Sequence, residues 1–118
     1  MTGQITVRIV DIIGSFLCVS AEDGQRVHDK IVPLLRENKK VVLSFAQVEA
    51  MISAFLNSAI GQLYGEFPED LINDLVAFTE ISDEDRLLLQ RVVANAKTYF
   101  SNREKFDQAW KDEVGDEE

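Results

Sequence analysis

The hydroxyl of Ser53 is the side-chain group best placed to bind a ligand or to be modified, because Ser53 lies between a polar loop and an apolar segment at residues 54–64. A serine at this position predicts a helix N-cap, whose hydroxyl accepts a hydrogen bond from the backbone N–H of Phe55 or Leu56. The positive end of the helix dipole would then favour a negative group beside it. The pattern is compatible with three roles for Ser53: a structural helix cap, part of an anion-binding site, or a site of covalent modification.

A stripe of small and polar residues continues along the same predicted helix. Its members are spaced i, i+3, i+4 and i+7 and therefore share one face: Ala54, Asn57, Ser58 and Gly61. Such a face lets another backbone approach closely. The approaching segment could belong to the same domain or to a partner protein, and the pattern does not choose between them.

Residue types that carry enzyme chemistry are scarce. His28 is the single histidine, and its offset from the apolar stripe residue Val27 predicts an exposed ring. Cys18 is the single cysteine, and its apolar neighbours predict a small buried hydrophobic residue. The sequence has no glycine-rich phosphate loop. We therefore expect no enzyme activity, no catalytic residue, no metal site and no cofactor.

Charge and hydropathy narrow the classes of partner. The 118-residue chain has a formal net charge of −9, which argues against binding nucleic acid or anionic lipid. No apolar run approaches the roughly 18 residues of a membrane span. The first residues lack a signal-peptide pattern, and a lone cysteine cannot form an intrachain disulfide. These observations predict a cytoplasmic protein.

The predicted elements alternate between strands and helices. In the first half we expect a strand from residue 5 that continues apolar to residue 13, a short strand at 16–19, and a helix capped by Ser20. Pro33 should kink or restart that helix. In the second half we expect a strand at 41–45 that is covered on both faces, followed by a helix at 53–64 with Gly65 as its C-cap. A helical turn at 68–74, a strand at 75–81 and a helix capped by Ser82 should complete the domain.

This order predicts an α/β fold: one domain with a sheet of about four strands, mixed or mostly parallel, packed by helices. We assign residues 1–103 to the domain and residues 104–118 to a helical extension with an acidic tail. The helix could break at residues 101–102. Beyond it, Phe106 and Trp110 continue a helical spacing, which would support either a homodimer or packing back onto the domain.

Three sequence segments resemble a known family. They are EDG at 22–24, KKVVLSF at 39–45 and SAFLNSAIGQLYG at 53–65. The strand, loop, serine and helix resemble STAS domains, named for sulfate transporters and anti-sigma-factor antagonists. The chain is most similar to a STAS-like family of small bacterial proteins without a settled function.

The resemblance implies a regulator that switches partners. In antagonist STAS proteins, the serine that corresponds to Ser53 is phosphorylated by a kinase-like anti-sigma factor, and only the unphosphorylated form binds that factor. The antagonist pattern is Asp-Ser-Ser/Thr-Gly, so the residues around Ser53 differ from it. These differences at Ile52, Ala54 and Phe55 predict an altered partner surface.

Our first hypothesis is therefore a non-enzymatic, protein-binding regulatory module. The protein partner would contact the loop before the second major helix and the first half of that helix: Gln47, Glu49, Met51, Ile52, Ala54, Phe55, Asn57, Ser58 and Gly61. For the phospho-switch, the resemblance implies that this partner is a kinase-like ATPase. The alternatives are a phospho-switch with Ser53 as acceptor, and a sensor that binds a small anion or nucleotide at the helix N-terminus.

Overall fold

The computed structural model describes the backbone of residues 4–114 and the side chains of residues 4–101. The strands are β1 (Gln4–Arg8), β2 (Leu17–Cys18), β3 (Lys40–Ser44), β4 (Ala50–Met51) and β5 (Val76–Thr79). The helices are α1 (Ile9–Ile13), α2 (Ala21–Arg36), α3 (Ser53–Ala59), α4 (Glu69–Leu75) and α5 (Asp83–Val114). A short 3-10 helix, Gly61–Gly65, follows α3.

The strands form two small parallel sheets. The larger has the order β1-β3-β5, and Val41 of its central strand aligns with Ile5 on one side and Val76 on the other. The smaller is a two-stranded ribbon of β2 and β4. Parallel neighbours need crossover connections, and α2, α3 and α4 lie in the connections between these strands. The predicted α/β class with a mostly parallel sheet is confirmed.

The two faces of the larger sheet differ in burial. One face carries Val7, Val41 and Leu43 into the hydrophobic core. On the opposite face Thr6 is exposed and Val42 is partly buried, whereas Ser44 is 5% exposed. Because alternate residues of a strand point to opposite faces, β3 is fully packed on one face and partly covered on the other, which is less than we predicted.

Helix α1 occupies a segment that we predicted as a continued strand. Gly14 ends it in the left-handed conformation at φ 69°, and the Gly14 N–H donates to the carbonyl of Val10. Arg26 of α2 donates from its guanidinium to the carbonyls of Ile12 and Ile13. These bonds satisfy the free C-terminal carbonyls of a short helix, which hydrophobicity alone could not reveal.

Two predicted helix caps are confirmed. The hydroxyl of Ser20 accepts from the Asp23 N–H at 3.1 Å, and the hydroxyl of Ser82 accepts from the Asp85 N–H at 3.1 Å. Helix α2 then runs through Pro33 to Arg36 without restarting. Each of these two caps involves only residues within one turn of the serine, so the neighbouring sequence was enough to predict them.

Helix α3 is shorter than predicted. It ends at Ala59, and the chain continues as the 3-10 helix, with Gly65 as that helix's last residue rather than a C-cap. Residues 68–74 were predicted as a helical turn, and α4 begins after Pro68 as expected. The strand predicted at 75–81 is β5, shortened at both ends.

Helix α5 continues without a break. The sequence left open whether it breaks at residues 101–102 or runs on; it is a single helix across them, and the proposed boundary at residue 103 falls inside it. The side chains of Phe106 and Trp110 lie outside the described ones, so the homodimer hypothesis stays a prediction. Within residues 4–114, no helix is both long and apolar enough to cross a membrane.

Candidate functional site

The predicted partner-binding residues fall into three groups by exposure. The exposed ones are Gln47, Glu49, Ile52, Ala54 and Asn57, together with the candidate phosphoacceptor Ser53. Met51 and Ser58 are partly buried. Phe55 and Gly61 are buried, and Phe55 has no exposed surface. The predicted set is therefore divided between the surface and the interior.

Part of the small-residue stripe packs against other helices of the same domain. A Cβ added at Gly24 of α2 would lie 2.9 Å from the Cβ of Ser58 and 2.3 Å from the carbonyl oxygen of Phe55. A Cβ added at Gly61 would lie 3.7 Å from the Cβ of Ala96 in α5. Ser58 and Gly61 thus accommodate neighbouring helices of the same domain, whereas Ala54 and Asn57 remain exposed.

Ser53 is not an N-cap, contrary to our prediction. Ile52 occupies the cap position in an extended conformation, and its side chain makes no capping bond. Ser53 is the first residue of α3 and is exposed. Its hydroxyl faces solvent at a helix of only seven residues with no acid in its first turn.

The β2–β4 ribbon presents an apolar surface next to Ser53. Leu17 pairs with Ala50, and the backbone of Ile52 donates to the carbonyl of Cys18. Because strand side chains alternate, Cys18 points inward while the residues on either side of it point outward. We call the outward-facing apolar set the ribbon patch: Leu17, Val19, Ala50 and Ile52. Leu17, Val19 and Ile52 are 46%, 47% and 41% exposed.

An open groove of about 570 Å³ borders the ribbon patch. Its lining includes Phe16 and Leu17 on one side and Gln47 and Glu49 on the other. Gln47 adopts a left-handed backbone at φ 67°, and its side-chain oxygen accepts a 2.8 Å hydrogen bond from Arg8. This conformation is uncommon for a residue with a side chain, and it positions the loop that forms one wall.

Cys18 lies beneath the ribbon patch as a buried free thiol, as predicted. Burial, and to a smaller extent the negative charges of Asp23 and Asp85, raises the pKa of this thiol to about 11. A thiol with such a raised pKa is a weak nucleophile near neutral pH. Cys18 therefore contributes packing, which is the role that its apolar neighbours predicted.

His28 is buried, so the prediction of an exposed ring was wrong. It is 6% exposed and pairs through Nε2 with the carboxylate of Glu66. Gln25 donates from Nε2 to Nδ1 of His28 at 3.2 Å and to Asp29 at 2.9 Å. Gln62 donates to the side-chain oxygen of Gln25 at 2.7 Å. The two ring nitrogens of His28 thus face different groups, Nε2 the carboxylate of Glu66 and Nδ1 the amide of Gln25.

Removing this ring is expected to be costly. His28→Ala should lower the free energy of unfolding by about 2–3 kcal/mol, because it removes a bond to a charged group and leaves a cavity. Glu66→Gln keeps an acceptor and should cost only about 1 kcal/mol. Urea unfolding followed by circular dichroism would measure both. A His28→Ala variant within about 0.5 kcal/mol of the parent would contradict this role.

The polar network joins α2 to the segment after α3, 38 residues away along the chain. No sequence pattern indicated that Glu66 would approach His28. Among residues 4–101, no cluster of three or more histidine, cysteine, aspartate or glutamate side chains could hold a metal ion.

Sequence reasoning also missed the exposure of Phe16, Leu17 and Val19. We predicted this segment as a strand and assigned it no function. Its alternation of an inward Cys18 with outward apolar neighbours was visible in the sequence. What the sequence did not show was the pairing with β4, which brings Leu17 and Val19 beside Ile52.

An α/β domain with a small, mostly parallel sheet packed by helices is consistent with a STAS-like class of protein. A comparison with protein families agrees: residues 23–86 match the model of a STAS-like domain of unknown function (DUF4325), over just more than half of the chain. The chain belongs to this family. Searches of curated proteins and of solved structures gave no match.

Proposed function

We propose that this protein is a non-enzymatic regulatory module that binds a protein partner through the ribbon patch and the exposed start of α3. The observation that carries the proposal is the exposure of Leu17, Val19 and Ile52 on one face of the ribbon. Isolated exposed apolar residues are ordinary on proteins, but a contiguous apolar surface rimmed by polar residues is typical of interaction sites.

The chemistry of the surrounding residues supports this proposal. Gln47 and Glu49 line the groove beside the patch and offer groups that form hydrogen bonds and ion pairs, and Asn57 is an exposed polar residue of α3. An apolar centre with a polar rim is the common anatomy of a protein interface. Phe55 and Gly61 are excluded from direct contact because they are buried, so the proposed surface contains only the exposed part of our predicted set.

Substitution of Ile52 tests the proposal. Ile52→Asp places a charge in the centre of the patch and should reduce capture of the native partner at least about tenfold, which corresponds to about 1.4 kcal/mol. The matched control is Leu87→Asp, the same kind of change at a 65% exposed residue of α5. Affinity capture with quantitative mass spectrometry measures both variants, and Asn57→Arg extends the test to α3.

Both variants should fold normally, because the substituted side chains are exposed. A protein that binds the parent and Leu87→Asp but not Ile52→Asp fits the proposal. If Ile52→Asp and Asn57→Arg retain every captured protein as well as Leu87→Asp does, the surface is wrongly placed.

A phospho-switch at Ser53 is the second candidate function. The exposed position of Ser53, one residue after Ile52, favours it, because a phosphate there would add about −1.5 to −2 charges beside the apolar patch. Ser53→Glu should then weaken partner binding while Ser53→Ala preserves it. Equal binding of both variants, or no phosphate on Ser53 after incubation with the native partner and ATP, would reject the switch.

Anion binding at the start of α3 has less physical support. The helix has seven residues, and the sequence from residue 41 to residue 85 contains no lysine, arginine or histidine to assist it. A thermal-shift screen with nucleotides and simple anions would detect such a ligand. We therefore retain protein binding as the proposed function.

A further inference from the structure

The two segments that build the ribbon patch contain no basic residue. Residues 9–25 and residues 41–85 lack lysine and arginine entirely, and they contribute β2 and β4 respectively. Every charged residue along these two stretches is an acid. The local charge is therefore negative by sequence, independently of the acidic chain end.

Acidic side chains surround the patch in the folded domain. Asp11 and Glu49 line the groove that borders it. Glu22 is exposed in the first turn of α2, three residues after Val19. On the inner side, the charges of Asp23 and Asp85 reach the Cys18 thiol beneath the ribbon and raise its pKa. Acids thus approach the patch from α1, α2, the β4 loop and α5.

The nearest arginines are already engaged by groups of the domain. Arg8 lies 3.5 Å from the carboxylate of Asp11 and donates to Gln47. Arg26 donates to two backbone carbonyls at the end of α1 and lies 3.5 Å from the carboxylate of Asp23. Of the groove acids, Glu49 makes no ion pair with any side chain within residues 4–101.

We infer that the partner presents a cationic amphipathic protein segment, with apolar side chains on the ribbon patch and lysine or arginine against Glu49, the groove acid that makes no ion pair within residues 4–101. This inference rests on the proposed function and names the chemistry of the partner at the same surface. Complementary charge accelerates association and excludes partners of like charge. The same acids repel nucleic acid and anionic membranes, so a protein is the favoured occupant.

A synthetic probe tests the inference with the full chain. The probe is a labelled helical peptide of leucine and lysine with its leucines on one face, and the control peptide carries glutamate in place of lysine. Fluorescence anisotropy should show at least about tenfold tighter binding of the lysine peptide, a difference of about 1.4 kcal/mol. Binding should weaken as salt rises above 0.1 M, where the screening length is about 10 Å.

Three variants distinguish binding at the ribbon patch from attraction by the net negative charge of the protein. Ile52→Ser removes an apolar contact at constant net charge and should weaken the lysine peptide about tenfold. Glu49→Lys reverses a groove charge and should weaken it at least roughly threefold. Asp74→Lys makes the same charge change at an exposed position of α4, outside the patch and the groove, and should have a smaller effect.

The outcomes test the cationic partner separately from the proposed binding surface. If the parent does not prefer the lysine peptide, or if Glu49→Lys is no weaker than Asp74→Lys, the cationic partner is overturned while the proposed surface stands on the Ile52→Asp capture test. If Ile52→Ser binds as well as the parent, the peptide is held by net charge alone and the inference fails. Loss of binding in both Ile52→Ser and Glu49→Lys, with Asp74→Lys retained, supports it.

Discussion

Phe55→Ala is expected to lower the free energy of unfolding by about 3–5 kcal/mol. Phe55 has no exposed surface and lies in the hydrophobic core cluster. Truncation removes the free energy of burying the ring and leaves a cavity that the surrounding helices fill only partly. Native stabilities are commonly about 5–15 kcal/mol, so this single change consumes much of the margin. Urea unfolding followed by circular dichroism measures the loss.

The matched control is Ile52→Ala, three residues earlier on the surface. Ile52 is 41% exposed, so its truncation should change the free energy of unfolding by less than about 1 kcal/mol. If Phe55→Ala does not fold, Phe55→Leu keeps most of the volume and should cost about 1–1.5 kcal/mol. Equal midpoints for Phe55→Ala and Ile52→Ala would show that Phe55 is not a core residue.

This pair also separates stability from recognition. A binding defect in Phe55→Ala should disappear when binding is corrected for the unfolded fraction, because the ring does not reach the surface. A defect in Ile52→Ala should persist after the same correction. The two variants therefore assign these two apolar residues, three positions apart, to different roles.

Gly24→Ala is expected to lower the free energy of unfolding by about 2–3 kcal/mol, although alanine is the better helix former. In an open helix the same change would stabilise by about 1 kcal/mol. Here the new methyl carbon would lie 2.3 Å from the Phe55 carbonyl oxygen and 2.9 Å from the Ser58 Cβ. A backbone oxygen cannot rotate away, so α2 and α3 must separate, and overpacking of this kind is destabilising.

Gly61→Ala is the control for this prediction. Its added methyl carbon would meet no atom closer than 3.6 Å, which is an ordinary contact. Its free energy of unfolding should therefore stay within about 1 kcal/mol of the parent. Thermal or urea unfolding compares the two variants. A Gly24→Ala protein as stable as Gly61→Ala would mean that the two helices do not pack as closely as the structure describes.

Local features of the fold were predictable from the sequence. Ser20 and Ser82 begin helices because a serine hydroxyl satisfies a nearby backbone N–H, which requires only neighbouring residues. The apolar run at 41–45 predicted β3 to within a residue at each end. The core strands and the family resemblance together were sufficient for the α/β class.

Features that depend on distant segments were not predictable. Ser53 resembled the two correct caps, but the extended Ile52 pairs with the Cys18 backbone and takes the cap position instead. His28 is buried because Glu66 comes from a distant segment to pair with its Nε2, while Gln62 bonds to the Gln25 side chain that contacts its Nδ1. Residues 9–13 form a helix whose end is completed by Arg26. In each case a tertiary partner overrode a local preference.

The candidate site was predicted in part for the same reason. The loop from Gln47 to Ile52 and the exposed residues of α3 were found from the motif. The β2 half of the ribbon patch was not, because its role depends on a pairing across more than thirty residues. The burial of Phe55 likewise reflects the close approach of α2 at Gly24.

The parallel β2–β4 ribbon makes recognition conditional on folding. Its two strands are separated in the chain by α2 and β3, so Leu17 and Ile52 become neighbours only after the central sheet and its crossover have formed. A partner that contacts both strands therefore recognises a discontinuous epitope and has no counterpart to bind in the unfolded chain. Its free concentration then adds to conformational stability by mass action, so the partner would also protect this domain against proteolysis.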